Sequence, residues 1–426
     1  MPSIRHVERV FWALTFARWF PIGLVAGVYT LLATERGLTV AQIGVYSAVQ
    51  GAIILLLELP TSGFADALGR KPVLVVAGAF GVLSGLAYLL AHDFAAFVLA
   101  SALMGVFRAL DSGPLEAWFV DAVRAIEPGR PVGTALARSH ALLGIGIASG
   151  SLLSGGLIAW HPFRDASALD LPVVLLVIGQ AVDLAMIIGL MSEPRTTSGR
   201  SGASTDDRRA QVLASVRATP GVIASGLRLL RSSGVLRGLL VAETLWVVAM
   251  FAQENLMPLR LADFLGSEAR AGVWLGPLVA VGWLGFALAS WLAGRFGRIL
   301  GFARTALVSR LAHGIAAALM GVMPGAASLA GAYLVTYSLH GANGTAHATL
   351  LHDQADASNR ATVLSVDSMA TSIGVLVFYP LLGAFAERWG NGPAMVCAGL
   401  VGAAGLVGYL PAVLVERRGL REGRDA

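Results

Sequence analysis

Charge is scarce in this sequence. Only 13% of its 426 residues are Asp, Glu, Lys or Arg, while 56% are hydrophobic, and the mean hydropathy is +0.72. A soluble domain has roughly 25% charged residues, so this chain has too little polar surface to face water. The composition therefore excludes a soluble enzyme or binding module and predicts a polytopic membrane protein.

Cysteine and lysine are nearly absent as well. Cys397 is the only cysteine and lies within an apolar run, so a disulfide within the chain is excluded. Lys71 is the only lysine among 31 basic residues. The net charge of +5 does not indicate a nucleic-acid partner, because the arginines are concentrated in the connections between apolar runs.

Alternation of polar and apolar residues, which would indicate a membrane β-barrel, is also missing. The apolar runs are instead continuous and about as long as a membrane-spanning helix, which needs about 20 residues. We therefore predict an all-α protein with twelve spans in two six-helix bundles. The runs cover 10–33, 41–65, 72–91, 94–118, 134–160, 171–192, 236–257, 271–293, 304–323, 328–350, 361–386 and 393–414.

Basic residues are distributed unequally between the two ends of these spans. If the N-terminus is cytoplasmic, 22 basic residues lie on the cytoplasmic side and 5 on the opposite side. Cytoplasmic loops carry the excess of Lys and Arg. We expect a multi-pass protein of the cytoplasmic (inner) membrane, with both termini in the cytoplasm.

Residues 193–235 separate two similar halves. This segment begins with a polar Gly/Ser/Thr/Arg stretch and continues as a basic amphipathic segment. We predict an N-terminal bundle at 1–192, this cytoplasmic linker, a C-terminal bundle at 236–414 and a cytoplasmic tail at 415–426. Short matches between the halves recur at offsets of 228 to 231 residues, including Gly69-Arg70 with Gly297-Arg298. Such repeats are typical of secondary transporters.

The connection between spans 2 and 3 carries the motif GFADALGRK at 63–71. It resembles the signature loop of the major facilitator superfamily. The similar segment between spans 8 and 9 resembles the degenerate copy of this loop in the second half. The preceding Glu58-Leu-Pro60-Thr61 and the span 4 pattern SGPLEAWFVD at 112–121 resemble a bacterial branch of drug and metabolite exporters. The resemblance implies a transporter with two six-helix halves and a central cavity.

Three residues of this motif have simple physical interpretations. Gly63 lets a neighbouring helix approach closely, and Gly69 permits the tight turn between two spans. Lys71 is interpreted as an anchor of the positive-inside type.

Asp66, Arg70 and Asp121 form the proposed gate. Asp66 can accept hydrogen bonds at a helix N-terminus, which the resemblance identifies as that of span 11. Arg70 can bridge to Asp121 at the end of span 4. We expect these contacts to form only when the halves close on the cytoplasmic side, and so to stabilise the outward-facing state.

Span 4 contains several ionisable residues on one broad helical face, among them Arg108, Asp111 and Glu116. The resemblance implies that Arg108 binds substrate or assists proton binding. A structural Arg108–Asp111 pair at i,i+3 is an equal alternative. Glu116 follows the helix-bending Pro114, so gating or packing is favoured over substrate contact.

Isolated deep acids are the leading candidates for proton coupling, because ionisable groups within spans are costly and functional by default. Glu243 and Asp183 come first, since neither has a basic residue near it in sequence, and Arg18 in span 1 can neutralise either one. Glu58 is interpreted as a gate or proton carrier. Glu254 is assigned to the outer vestibule.

Two further patterns bear on function. The span 10 histidines His340 and His347 are interpreted as cavity-lining or packed residues, because no third convergent ligand indicates a metal site. Span 5 carries Gly146-x-x-x-Gly150, which resembles an antiporter motif. The usual following proline is replaced by Ser151, so this motif alone does not assign antiport.

Together these features predict a secondary transporter that exports a small amphipathic drug or metabolite in exchange for protons. The alternative is a proton symporter or facilitator that imports a nutrient, and a membrane-embedded enzyme ranks last. No GxxxxGK[ST] nucleotide-binding motif occurs. The expected partners are a small-molecule substrate, protons and lipid, with no cofactor, metal or nucleic acid, and the protein is expected to be a monomer.

Overall fold

A computed structural model covers residues 3–163, 165–193, 221, 225–226, 228–355 and 359–425. Within these ranges the side chains of 59–63, 65–67, 360–361 and 419–425 are not described. The described chain is built from helices, and the predicted all-α polytopic fold is confirmed. The predicted linker segment lies largely outside the described residues.

Twelve helical units of the described residues correspond to the twelve predicted spans. Spans 1–6 are Ile4–Leu24 with Val28–Glu35, Val40–Leu68, Arg70–Leu90, Phe94–Asp111 with Pro114–Ile126, Gly133–Trp160, and Asp170–Leu190. Spans 7–12 are Gly234–Phe251 with Ala252–Leu256 and Met257–Leu265, Glu268–Leu300, Phe302–Met320, Ala326–Asp353, Arg360–Trp389, and Asn391–Ala404 with Gly405–Tyr409 and Leu410–Asp425.

Not every one of these helical units is apolar enough to be recognised as a membrane span from its hydropathy. Within the described ranges ten are long and apolar enough to cross a membrane, and spans 9 and 10 are not among them. The reason lies in their buried polar residues, such as Arg310 and His313 in span 9 and Asn343 and His347 in span 10. These side chains point into the protein, so they lower the mean hydropathy of a span without exposing charge to lipid.

Spans 1 and 7 are interrupted at matching places. Span 1 breaks at Gly27, whose φ of +77° is readily adopted only by glycine. Span 7 widens into a π-helical turn at Ala252–Leu256, and the helix that follows it carries Pro258 in its first turn. Span 4 is also broken, at Gly113 with φ +90°, and Pro114 starts its second helix where the sequence predicted a bend.

The turn glycines confirm one expectation and correct another. Gly69 joins spans 2 and 3 with φ +97°, as its interpretation as a tight turn requires. Its counterpart between spans 8 and 9 is Gly301, with φ +94°. Gly297, which the sequence match paired with Gly69, lies inside span 8 instead. The register of the repeat therefore shifts by four residues at this turn.

The two halves meet along two pairs of spans, 2 with 11 and 5 with 8. Glycines permit the close approach: a Cβ added at Gly155 would lie 2.7 Å from the Val273 carbonyl oxygen. Gly44 similarly lies against the Tyr379 carbonyl. Small residues at such crossings are typical of membrane helix packing.

Gly155→Ala should loosen the contact between spans 5 and 8. The added methyl group meets backbone that cannot rotate away, so we expect a loss of about 1–3 kcal/mol of stability. Gly156→Ala is the matched control, because a Cβ there meets no atom of the described residues within 4 Å. Thermal unfolding in detergent would measure both, and equal transitions for the two variants would contradict this packing.

The bundle is closed at one end and open at the other. We call the end that holds the turn at Gly69 the inner end. At the outer end the helix Val28–Glu35 packs against Met257–Leu265, and Thr30 Oγ1 donates to Asn255 Oδ1 at 3.3 Å. At the inner end the side chains of Glu116 and His140 are 55% and 69% exposed, so the structure is open on this side.

Candidate functional site

Two chambers lie one above the other between the halves. The central chamber has a volume of about 490 Å³, and the inner chamber, which reaches the open end, about 480 Å³. Both are lined by Ile54, Arg108, Thr371 and Ser372. The boundary between them is therefore at the level of Arg108, in the middle of the protein.

Eight aromatic side chains line the central chamber, together with aliphatic and polar ones. Two charged side chains, Arg108 and Glu254, also face it and are exposed to the chamber. The sequence interpretation of Glu254 as an outer-vestibule residue was wrong, because the π-helical turn and Pro258 bring it into the central chamber. The aromatic residues are Tyr29, Tyr46, Tyr88, Phe107, Trp283, Tyr333, Tyr337 and Tyr379.

A buried charge cluster lies beside the chambers in the first half. Arg18 forms an ion pair with Asp111 and a second one with Asp183, whose Oδ2 lies 3.4 Å from its guanidinium. Arg18 and Asp183 are only 5% exposed, whereas Asp111 lines the inner chamber. Asp183 Oδ1 and the Gln180 side-chain amide have no hydrogen-bond partner among the described residues. Span 1 thus supplies the cation that spans 4 and 6 require.

These contacts decide between the two interpretations of Asp111. Its partner is Arg18, 93 residues away, rather than Arg108 at i,i+3. Arg108 is left facing the chamber, with its guanidinium 5.9 Å from the Trp19 ring centroid. The structural Arg108–Asp111 pair is therefore wrong.

A second charge cluster lies in the other half. Arg310 is fully buried and lies 3.4 Å from Glu243 Oε2, and it donates to the Tyr409 hydroxyl at 3.0 Å. His347 Nε2 lies 3.7 Å from Glu243 and 3.3 Å from Asp367 Oδ1. Four spans and the 3₁₀ turn of span 12 therefore contribute to one buried polar network.

Both acids that the sequence ranked first for proton coupling have an arginine from another span beside them: Arg18 at Asp183 and Arg310 at Glu243. Arg310 is completely buried. Of the two acids that Arg18 was expected to neutralise, it contacts Asp183 and not Glu243.

Glu58 and Glu116 both line the inner chamber. Glu58 accepts a hydrogen bond of 2.6 Å from Ser368 in span 11, so it links the two halves. Glu116 lies 3.4 Å from His140 within the first half. The inner chamber therefore brings together five sequence candidates: Arg18, Glu58, Arg108, Asp111 and Glu116.

The signature loop is anchored mainly within the first half. Arg70 Nε lies 3.7 Å from Asp121 Oδ2. Lys71 Nζ donates to the carbonyl oxygens of Ile188 and Met191 at the end of span 6, so it caps that helix and is more than an orientation anchor. The surroundings of Gly63 and the side chain of Asp66 are not described, so close helix approach at Gly63 and the gating role of Asp66 stay predictions.

The Arg70–Asp121 pair also corrects the expected timing of the gate. Its partners belong to spans 3 and 4 of the same half, and the pair is present although the inner end is open. Closure of the two halves is therefore not a condition for this contact.

Arg70→Gln and Asp121→Asn should each slow transport while changing stability by less than about 1 kcal/mol, because the pair is partly exposed. If the residues act through each other, the double variant should transport no more slowly than either single one. Initial transport rates and thermal unfolding would be measured for all three. Additive losses would show that the residues act separately.

The family model of the Major Facilitator Superfamily matches residues 11–378 of this chain. The chain belongs to the major facilitator superfamily. It is therefore a multi-pass membrane transporter of the secondary type. Its setting is the lipid bilayer and its substrate a small molecule.

Solved structures show the same fold. A crystal structure of the nucleoside transporter NupG superimposes with a TM-score of 0.71 at 11% identity, covering 95% of this chain and 98% of that one. The human organic anion transporter MFSD10 (TETRAN) gives a TM-score of 0.61 at 15% identity, covering 96% and 100%. At these identities the likeness establishes the superfamily fold alone.

A sequence relative is known from Saccharomyces cerevisiae. The "Uncharacterized membrane protein YJR124C" is 29% identical over 174 residues, which are 40% of this superfamily member and 38% of the yeast protein. The match spans less than half of either chain.

Proposed function

We propose that this transporter exports a small amphipathic organic compound, a drug or metabolite, in exchange for protons by alternating access. The central chamber supports this proposal. Its volume of about 490 Å³ falls within the range of roughly 300–1,000 Å³ typical of small-molecule sites. Its wall combines aromatic and aliphatic side chains with polar and charged ones, so it offers both apolar faces and hydrogen-bonding groups to an amphipathic compound.

Proton exchange is supported by the composition of the buried clusters. Arg18 carries one positive charge and faces the two carboxyl groups of Asp111 and Asp183. With both carboxyls ionised the cluster has one negative charge in excess, which is costly in a buried place. One added proton makes the cluster neutral. The cluster is therefore suited to take up and release a single proton.

The second cluster has the same balance. Arg310 faces Glu243, and His347 lies between Glu243 and Asp367. One proton on His347 again makes the group neutral. We assign the coupling proton to Asp183 in the first cluster, because its neighbour Asp111 lines the open inner chamber and provides access from solution.

The site assignments follow from this scheme. Arg108 contacts substrate at the boundary of the chambers, Glu58 and Glu116 act in opening and closing the inner chamber, and the loop with Asp66 and Arg70 biases the gate. We further propose the cytoplasmic membrane as location, with cytoplasmic termini, the domain bounds 1–192, 193–235, 236–414 and 415–426, and a monomeric transporter.

Import of a nutrient is the second candidate, favoured by Ser151 in the span 5 motif. The Ser151 hydroxyl donates to the Gly23 carbonyl at 2.9 Å, so the serine joins spans 5 and 1 where the antiporter pattern has proline. This bond has no direct bearing on the direction of transport. Export therefore remains the function that we propose.

Accumulation in cells tests the proposal. Cells with the transporter should retain less of a panel of fluorescent amphipathic compounds than cells with an empty vector, and an uncoupler should abolish the difference. Asp263→Asn is a suitable control variant, because Asp263 lies near the outer end and outside both chambers. Higher accumulation in the transporter cells would indicate import and contradict the proposal.

A further inference from the structure

Glu254 lies in an aromatic part of the central chamber. Tyr333, Tyr337 and Tyr379 line the same chamber as Glu254. The rings of Tyr333 and Tyr337 are 5.6 Å apart. A carboxyl group among aromatic faces is suited to an organic ammonium group, which is attracted by both.

Arg108 supplies the opposite charge. It faces the same chamber from span 4, in the first half, while Glu254 faces it from span 7, in the second half. Neither forms an ion pair or hydrogen bond within the described part of the chain. Each charge therefore has its hydrogen-bonding capacity available to a ligand.

We infer that the substrate is an organic zwitterion, with an amine that binds at Glu254 and its tyrosines, an acidic group that binds Arg108, and an aromatic or similarly apolar body between them. This inference rests on the proposed transport function and names its substrate class. Because the two charges lie on opposite halves, such a ligand connects the halves through its two ends. A ligand with only one charged end can form an ion pair with only one of the two halves.

A panel of ligands matched in shape tests this substrate class. Each of several aromatic bodies, including indole and naphthalene, is used in four forms: amino acid, amine, carboxylic acid and neutral alcohol. The purified full-length protein in lipid nanodiscs is titrated with each compound, and binding is read from ligand-induced thermal stabilisation. For each aromatic body that binds in any form, the zwitterionic amino acid should bind more tightly than the amine, the acid and the alcohol. If the amine or the acid binds more tightly than the zwitterion, or if no zwitterion binds, the inference is wrong.

Two variants should shift this order in opposite directions. Glu254→Gln should weaken binding of the zwitterion by about tenfold to a hundredfold, as expected for the loss of a charged hydrogen-bond partner. Binding of the acid form should stay unchanged. Arg108→Gln should weaken binding of the zwitterion to a similar extent and leave binding of the amine unchanged. Asp263→Asn should change neither. If both chamber variants weaken all four forms alike, the two residues shape the chamber without selecting charge, and the inference fails.

Failure of this inference can be told apart from failure of the transport proposal. The binding measurement uses no proton gradient and is independent of transport direction. A neutral or singly charged substrate would overturn the zwitterion while leaving uncoupler-sensitive export intact. A zwitterion that binds but is not exported would support the inference and contradict the proposed function.

Discussion

Arg18→Ala should destabilise the protein by about 3–5 kcal/mol, the loss typical of a buried ion pair from which one partner is removed. Arg18 is 5% exposed and is the cation for both Asp111 and Asp183. Without it, two carboxyl groups remain in a place with little water to solvate them. Thermal or chemical unfolding of the purified protein in detergent, together with its yield in the membrane, would measure this loss.

A matched control and a compensated variant make this result specific. Arg138→Ala removes an exposed arginine that lies over the Trp12 ring, and it should change stability by no more than about 1 kcal/mol. The triple variant Arg18→Met, Asp111→Asn, Asp183→Asn removes the charges together, so it should recover much of the stability without transport activity. An Arg18→Ala protein as stable as Arg138→Ala would show that the cluster is not held by Arg18.

Asp183→Asn should separate proton-driven transport from substrate exchange. Asparagine has the shape of a protonated aspartate, and the remaining Arg18–Asp111 pair is neutral. The variant therefore resembles the protonated state permanently. In proteoliposomes, transport driven by a pH gradient should fall to the level seen without a gradient, while exchange of labelled for unlabelled substrate should continue.

The corresponding change in the second cluster is Glu243→Gln. Under our assignment of the proton to Asp183, this variant should keep pH-driven transport unless it fails to fold, which its thermal unfolding would reveal. If Glu243→Gln loses pH-driven transport and Asp183→Asn retains it, the coupling acid lies in the second half, as the sequence ranking of Glu243 also allowed.

Local features were predictable from the sequence. The change of helix direction at Pro114, the tight turn at Gly69 and the bridge from Arg70 to Asp121 depend on residues close together or on the signature motif. The structure has all three. Hydropathy gave the lengths of most spans, because lipid requires continuous apolar segments.

Contacts between distant spans could not be predicted in the same way. Arg18 is 93 residues from Asp111 and 165 from Asp183, and Arg310 is 67 from Glu243. A single sequence shows a buried acid but not the helix that packs against it. Glu254 was misplaced for a related reason: distance along the chain gives depth only in a regular helix, and span 7 is interrupted by a π-helical turn. The position of an acid just before Pro258 was the available signal.

Proton movement caused by the substrate itself tests proton-coupled export most directly. Proteoliposomes with a trapped pH-sensitive dye, and with no pH gradient at the start, would receive the compound whose accumulation in cells the transporter lowers most. If the substrate entering the vesicles is exchanged for protons, the lumen should become alkaline with wild-type protein and stay unchanged with Asp183→Asn. Acidification of the lumen would indicate symport, and an unchanged lumen with wild-type protein would indicate uncoupled transport; either result would contradict exchange of substrate for protons.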